Sequence, residues 1–319
     1  MSGFSSFAPH LGAALGAGLM VAAAAAFNAG AGASVGDAAS ARNAASGPEA
    51  AAIAAPRDVR NAEFAAPQSA ASLATQARRD APGDVTAGPA AGEGRPRLAV
   101  ILDDVADMDA ARRALALPAP VTIAVLPYAE EAPQIAALVT GAGAELFVHL
   151  PMEPIGLDDP GPYALTKQLN ADDLAVRLAY AFARTPGAAG FNNHMGSRMT
   201  SDRASMEAVF AAIKDPAVRG VAHNPIFVDS LTHPRSQAAA AAEAAGFAAL
   251  KRDVFLDHVR DPVAIEAQLQ AAIQLAAARG SAVAIAHPHP ETFAVLETLA
   301  ERARAAGVDV VPVSALAQR

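Results

Sequence analysis

The chain has 319 residues with 24 basic and 32 acidic side chains, a net charge of −8, and no Lys/Arg block, which excludes a nucleic-acid-binding surface. It has no cysteine, which excludes disulfides, thiolate metal sites and a Cys nucleophile. Aromatic residues are 5% of the chain and Trp is absent, which excludes a long sugar-stacking platform.

Residues 1 to about 96 are dominated by Ala, Gly, Ser and Pro. Within them, LGAALGAGLMVAAAAAF (11–27) is an uncharged apolar run at the lower length limit for crossing a bilayer. Ala29-Gly30-Ala31 and Ala31-Gly32-Ala33 offer small-residue cleavage sites, although no Lys or Arg precedes the run. Residues 1–31 are therefore expected to be a signal peptide or membrane anchor. The protein is then exported, and is periplasmic or tethered to the inner membrane through 11–27. Residues 32–95 read as a disordered Ala/Gly/Pro-rich linker, because so little apolar surface cannot offset the entropy of ordering. Residues 96–319 read as one folded domain.

From residue 97 the pattern becomes regular. Short apolar runs predict buried strands at 98–102, 121–126, 145–150, 226–229, 282–287 and 308–313, with weaker candidates at 190–194 and 249–257. Continuous rather than alternating apolar runs imply a sheet covered on both faces. Between them lie helical patterns. Asn170 caps one that carries Leu174, Leu178 and Phe182. Ser201 is expected to cap one that carries Met206, Val209, Phe210 and Ile213. Asp261-Pro262 starts another that runs to Gly280, and a last helix spans about 291–306 and stops at Gly307. Strand–helix alternation over some seven units predicts a parallel α/β fold, either a barrel or a doubly wound sheet.

Strand after strand ends in a polar residue. The first ends in Asp103-Asp104 and the third in His149. His194, Asp229, Asp253, Asp257, His287 and His289 follow at later strand ends. In a parallel barrel these ends share one face, where α/β active sites are built. Taken singly, each has a plainer reading: an Asp after a strand is commonly a helix cap, as assigned to Asp107 and Asp109, and a His is commonly a hydrogen-bonded structural residue, as assigned to His223, His233 and His258. Their coincidence at one end favours a site. Two imidazoles and a carboxylate suit Zn²⁺ with a position left open for water, whose pKa falls from 15.7 to about 7 on binding. A second carboxylate can then act as base and an opposed histidine as acid, which gives two adjacent acids separate uses.

In this order ILDD, HLPMEP, NNHMGS, FVDS, RDVFLD and IAHPHPET resemble the divergent polysaccharide deacetylases, an exported bacterial branch of the NodB-like carbohydrate esterases. The resemblance covers about 96–319. It implies a distorted (β/α) barrel of about seven parallel strands that removes N-acetyl groups from a glycan with a divalent metal, Zn²⁺ by preference. It implies Asp103 as base, His287 as acid, and Asp104, His149 and His194 as metal ligands. Asn193, Asp229, Arg252, Asp253 and His289 are expected to contact substrate. The chain also departs from the ordinary pattern. Val105 replaces the Gly after the acid pair. Glu153 and Arg198 stand where His-x-x-x-His motifs would place a second histidine, and no Arg-x-Pro-x-Gly segment is found. Arg252 is expected to supply a substitute cation, steadying Asp103 or Asp253.

The expected substrate is an envelope glycan such as peptidoglycan. The alternatives are a catalytically silent glycan-binding or envelope-assembly protein on the same barrel, and a metal hydrolase acting on another bond. Tyr128, Tyr163, Phe147 and Phe191 lie near strand ends, with core packing the default for both phenylalanines. The Pro/Gly-rich stretch 152–166 reads as a loop over the site mouth.

Overall fold

The computed structural model describes residues 94–220 and 225–317. The expected leader (1–31), nearly all of the expected linker, His10 and His223 lie outside the described residues. No helix among the described residues is long and apolar enough to cross a membrane.

Nine strands form one sheet: β1 (Arg97–Val105), β2 (Thr122–Val125), β3 (Leu146–Met152), β4 (Gly190–Met195), β5 (Ile226–Asp229), β6 (Ala249–Lys251), β7 (Val254–Phe255), β8 (Ser281–Ala286) and β9 (Asp309–Val310). Every pairing is parallel, in the order β6-β5-β4-β3-β2-β1-β8-β7, with β9 added beside β1. The two ends of this path are consecutive pieces of chain. β6 pairs with β5, Arg252 N–H still donates to Asp229 O, and Asp253 N–H already donates to Val283 O of β8. One extended segment thus spans the gap between β5 and β8. The result is a distorted (β/α) barrel with seven principal positions around its wall, as the sequence predicts.

Alternation along each strand separates two cores. Ala99, Ile101, Ala124, Phe147, Val228, Val283 and Ile285 point inward, and this set, small beside the outer core, fills the narrow barrel with side chains. Leu98, Val100, Leu102, Ile123, Val148, Phe191 and Phe227 point outward beneath the helices. There Phe191, Phe210 and Phe227 form a ring cluster with centroids 5.0–6.0 Å apart. Truncating one of these buried rings to Ala costs about 3–5 kcal/mol.

The predicted caps hold at Asp107, Asn170 and Asp261, whose side chains accept from Ala110, Asp173 and Val263 amides. Three expectations are corrected. Asp202, rather than Ser201, caps the helix Arg203–Ile213 by accepting from Ser205 N–H at 2.9 Å, because the Ser201 hydroxyl donates back to Ser197 O. The helix expected over 291–306 is two, Pro290–Leu296 and Leu299–Ala305. At the break the Thr298 hydroxyl takes Val295 O at 2.8 Å in competition with the backbone. The strand expected over 308–313 shrinks to β9, because Pro312 lacks the N–H a ladder needs, and Val313–Ala317 turns helical. That last helix plugs the N-terminal mouth. Val313 joins the inner core, and Glu145 holds both Thr122 Oγ1 and Ser314 N–H.

Candidate active site

The inward parity of the strands carries directly into the site. Asp103 continues the inward series 99, 101, 103 on β1. His149 follows Phe147 on β3, Asn192 and His194 follow Gly190 on β4, Ser230 follows Val228, and His287 follows Ile285. Asp104 should therefore point outward. Two features turn it in. The β1–β2 register advances three residues on β1 (Leu102 to Val105) against two on β2, which is a bulge, and Asp104 has φ 56°. A left-handed non-glycine residue costs on the order of 1–3 kcal/mol and persists where its surroundings over-determine it, commonly at functional sites.

Three donor atoms converge. Asp104 Oδ1 lies 3.0 Å from His149 Nε2 and 2.9 Å from His194 Nδ1, and the two ring nitrogens are 3.2 Å apart. Asp104 Oδ1 is buried and takes no hydrogen bond in this geometry, while the two ring nitrogens hydrogen-bond to each other. Two imidazoles and a carboxylate whose donor atoms converge this closely form a suitable set for a divalent ion. Burial pushes the Asp104 carboxyl up, but the two imidazoles outweigh it and hold the group well below the usual carboxylate range. Burial lowers the His149 imidazole, and the carboxylates of Asp103 and Asp104 more than reverse this.

Asp103 is 2% exposed, and burial raises its pKa. Its Oδ1 accepts from Asn192 Nδ2 at 2.7 Å. His287 sits opposite, with Nε2 3.8 Å from Asp104 Oδ2. Its Nδ1 meets Asp257 Oδ1 at 3.0 Å, while Asp257 Oδ2 accepts from His287 N–H at 2.6 Å and from Thr292 Oγ1 at 2.8 Å. Burial disfavours the imidazolium, but the Asp257 bond and the Asp104 charge lift its pKa to about 9. Asp257, His287 and His289 also lie close enough for a second ion. The oxygens of Asp257 are already committed to His287 and Thr292, so this group reads as an acid and its holder.

The residues expected to touch substrate divide. His289 is half-buried and lies at the mouth, its ring 5.9 Å from that of His287. The other four have different work. Asn193 has outward parity; it is 1% exposed, accepts from Ser230 N–H at 2.9 Å and donates to Met195 O at 2.7 Å, bracing two loops. Asp229, also outward and fully buried, accepts from Leu231 N–H and Ser236 Oγ. Arg252 makes no direct ion pair with Asp103 or Asp253, although its charge acts on both and draws the Asp253 carboxyl down against its burial. Its Nε donates to Ser230 O at 2.8 Å, its other nitrogen reaches Leu231 O, and its guanidinium lies 5.0 Å over the Phe255 ring. Asp253 accepts from Val283 N–H in mid-β8, below the mouth. Phe147 and Phe191 are core, as expected.

Glu153 and Arg198, four residues beyond His149 and His194, pair with each other at 3.2 Å and tie the β3 and β4 loops together. In the 152–166 loop, a Cβ on Gly161 would meet the Tyr128 ring at 2.6 Å, so only glycine lets the loop lie on that ring. Burial, then the charges of Asp104 and Asp159, push the Tyr128 phenol up to about 12. A cavity of about 420 Å³ lies at the opposite mouth beside Pro118, Ala144 and Ser314 and contains none of these residues. Sequence reasoning did not single out Asn192 or Ser230, and it left Asp257 without a role. Strand parity would have selected the first two.

A parallel barrel with a carboxylate–imidazole donor set at its C-terminal mouth defines a deacetylase-type fold. The chain belongs to the divergent polysaccharide deacetylase family, whose model matches residues 100–317. YibQ, an uncharacterized protein of Escherichia coli (strain K12), is 35% identical over 204 residues, which are 64% of this chain and 62% of YibQ. An uncharacterized protein of Haemophilus influenzae (strain ATCC 51907 / DSM 11121 / KW20 / Rd) is 32% identical over 207 residues, 63% of this chain and 70% of its own length. The crystal structure of the uncharacterized protein ATU2773 from Agrobacterium tumefaciens C58 shares the fold, with a TM-score of 0.64 at 24% identity over 72% of this chain and 92% of that one.

Proposed function

We propose that the protein is a metal-dependent hydrolase that removes N-acetyl groups from an envelope glycan, and that it is exported. The observation that carries this reading is the convergence of Asp104 Oδ1, His149 Nε2 and His194 Nδ1, with His287 held opposite by Asp257. Membership of the divergent polysaccharide deacetylase family supports a glycan as the substrate class. A bound divalent ion, Zn²⁺ by preference, supplies Lewis-acid activation of the amide carbonyl and of water.

The chain's own residues supply the proton transfers. Asp103 commits Oδ1 to Asn192, and its Oδ2 takes the proton of the water that adds to the acetyl carbon. His287 presents Nε2 and gives its proton to the nitrogen as the C–N bond breaks. Acetate leaves with the hydroxyl of the water, the sugar keeps a free amine, and the proton on Asp103 returns through solvent to His287. Asp257 holds the ring through Nδ1 and stabilises its protonated form by charge.

The test is acetate release from N-acetylated chito-oligosaccharide and from peptidoglycan. Release that is lost on chelation, restored by Zn²⁺ and abolished by Asp103→Asn supports the reading. A full set of envelope glycans yielding no acetate, while still retained by the wild-type protein and by His149→Ala, supports the silent glycan-binding alternative. The tie between Glu153 and Arg198 is the observation that favours that alternative, since an ion pair occupies positions where ordinary relatives place histidines.

A further inference from the structure

We infer that Asn192 is a positioning residue that fixes the tautomer of His149, so that Nε2 is the nitrogen offered to a cation. The inference rests on the metal reading above. Asn192 is fully buried on β4, directly across the ladder from His149 on β3, and its side chain faces inward with His194. Three hydrogen bonds fix the orientation of its amide. The Nδ2 group lies 2.7 Å from Asp103 Oδ1 and 3.2 Å from Ser230 Oγ. A carboxylate can only accept, so the amide must present its NH₂ on that side. The carbonyl oxygen then faces His149 Nδ1 at 2.9 Å. A carbonyl can only accept as well, so Nδ1 must carry the proton. In the neutral ring, the form that can bind a cation, the lone pair then falls on Nε2, the atom 3.0 Å from Asp104 Oδ1 and 3.2 Å from His194 Nδ1.

Two neighbouring groups lie close to the ring, and neither is placed to fix its tautomer directly. Asp103 Oδ1 is 3.7 Å from His149 Nδ1, beyond hydrogen-bond range, so its charge acts on the ring directly but the only hydrogen-bonded link between them among the described residues runs through the Asn192 amide. Ser230 touches the amide but no ring nitrogen. An outer hydrogen bond of this kind sets ring orientation and ligand basicity, and its loss typically costs 10- to 100-fold in metal affinity. Asn193, next in sequence, cannot substitute, because strand alternation turns it outward to brace Met195 and Ser230.

The experiment is titration of the chelator-stripped full-length protein with Co²⁺, read by its visible absorption, and with Zn²⁺ by competition. Asn192→Ser shortens the side chain so that its oxygen no longer reaches Nδ1, and the exchange Asp103→Asn with Asn192→Asp keeps an oxygen facing Nδ1 and one donor between the two side chains. Expected are 10- to 100-fold weaker binding with an altered Co²⁺ spectrum for Asn192→Ser, and affinity within a few-fold of wild type for the double exchange. Thermal unfolding of the metal-free proteins identifies any variant that fails to fold, in which case Asn192→Thr takes the place of Asn192→Ser. Wild-type affinity and spectrum in the Ser variant, or a double exchange as weak as Ser, overturns the inference while the metal reading stands. No Co²⁺ or Zn²⁺ binding by wild type overturns the metal reading, and this inference with it.

Discussion

Asp103 and Asp104 share a peptide bond yet point their carboxylates into the same chamber, because a bulge and a left-handed residue fall where alternation would send the second acid outward. Adjacent strand residues otherwise face opposite sides, so the pair requires this local distortion. It places one carboxylate against Asn192 and the other between two imidazoles.

The distortion should be visible in stability. Ala and Gly at position 104 both lack the carboxylate and differ mainly in tolerance of φ 56°. In an ordinary strand Gly is the less stable of the two by roughly 0.5–1 kcal/mol. Here the order should reverse, with Asp104→Gly more stable than Asp104→Ala by about 1 kcal/mol in urea unfolding without metal. The ordinary order would show that the residue carries no strain.

Zn²⁺ should stabilise the wild-type domain. A ligand at 100 times its Kd adds about 2.7 kcal/mol, which for a domain of this size raises the unfolding midpoint by several degrees. The rise should vanish in Asp104→Ala and His149→Ala and persist in Arg252→Lys, whose side chain touches loop carbonyls and no donor of the cluster. Differential scanning calorimetry with and without chelator provides the comparison.

Asp257→Asn separates the acid from the metal. Asp257 accepts from both the ring and the backbone N–H of His287, and an amide can match only one of those contacts while removing the charge. Acetate release should fall by about 10²- to 10⁴-fold, the usual worth of general acid catalysis. KM and Zn²⁺ affinity should stay close to wild type. An equal loss of metal affinity would instead assign Asp257 to the metal cluster.

Acid sensitivity should have a contribution from Asp202. Its bond with Lys167, then its capping of Ser205, lower its pKa from 3.8 to about 2. Since the folded value is the depressed one, the stabilisation is complete above the unfolded value near 3.8 and is lost as pH falls through about 2, with roughly half gone by about pH 3. The pair is partly exposed and screened by water, so at neutral pH it is worth no more than about 1 kcal/mol. The stability difference between wild type and Asp202→Asn should therefore narrow from pH 6 to pH 3. A constant difference would place the effect elsewhere.

Much of the barrel was legible because its strands are buried on both faces and appear as unbroken apolar runs. The convergence of Asp104, His149 and His194 was legible from their positions at strand ends. The choice between neighbours was harder. Asn193 and Asp229 stand at strand ends too, but period-two alternation turns them outward, and only Asn192 and Ser230 point in. Applying that parity to Asp104 gives the wrong face, since its direction depends on a backbone angle set by the finished site. For Arg252 and Asp253 only the charge relation was legible: the Arg252 charge does act on Asp103 and Asp253, but the loop and β8 contacts of the two residues follow from a segment that changes partners in mid-course, and pairing between distant segments leaves no local mark in the sequence.

That change of partners has a mechanical consequence. The barrel wall has a seam at 249–257, where the chain is fastened to β5 by Arg252 and to β8 by Asp253 and Leu256. The same nine residues end in Asp257, the anchor of His287. Any loosening that parts the wall there also frees the proton donor, so fastening the seam and arming the acid are a single folding event.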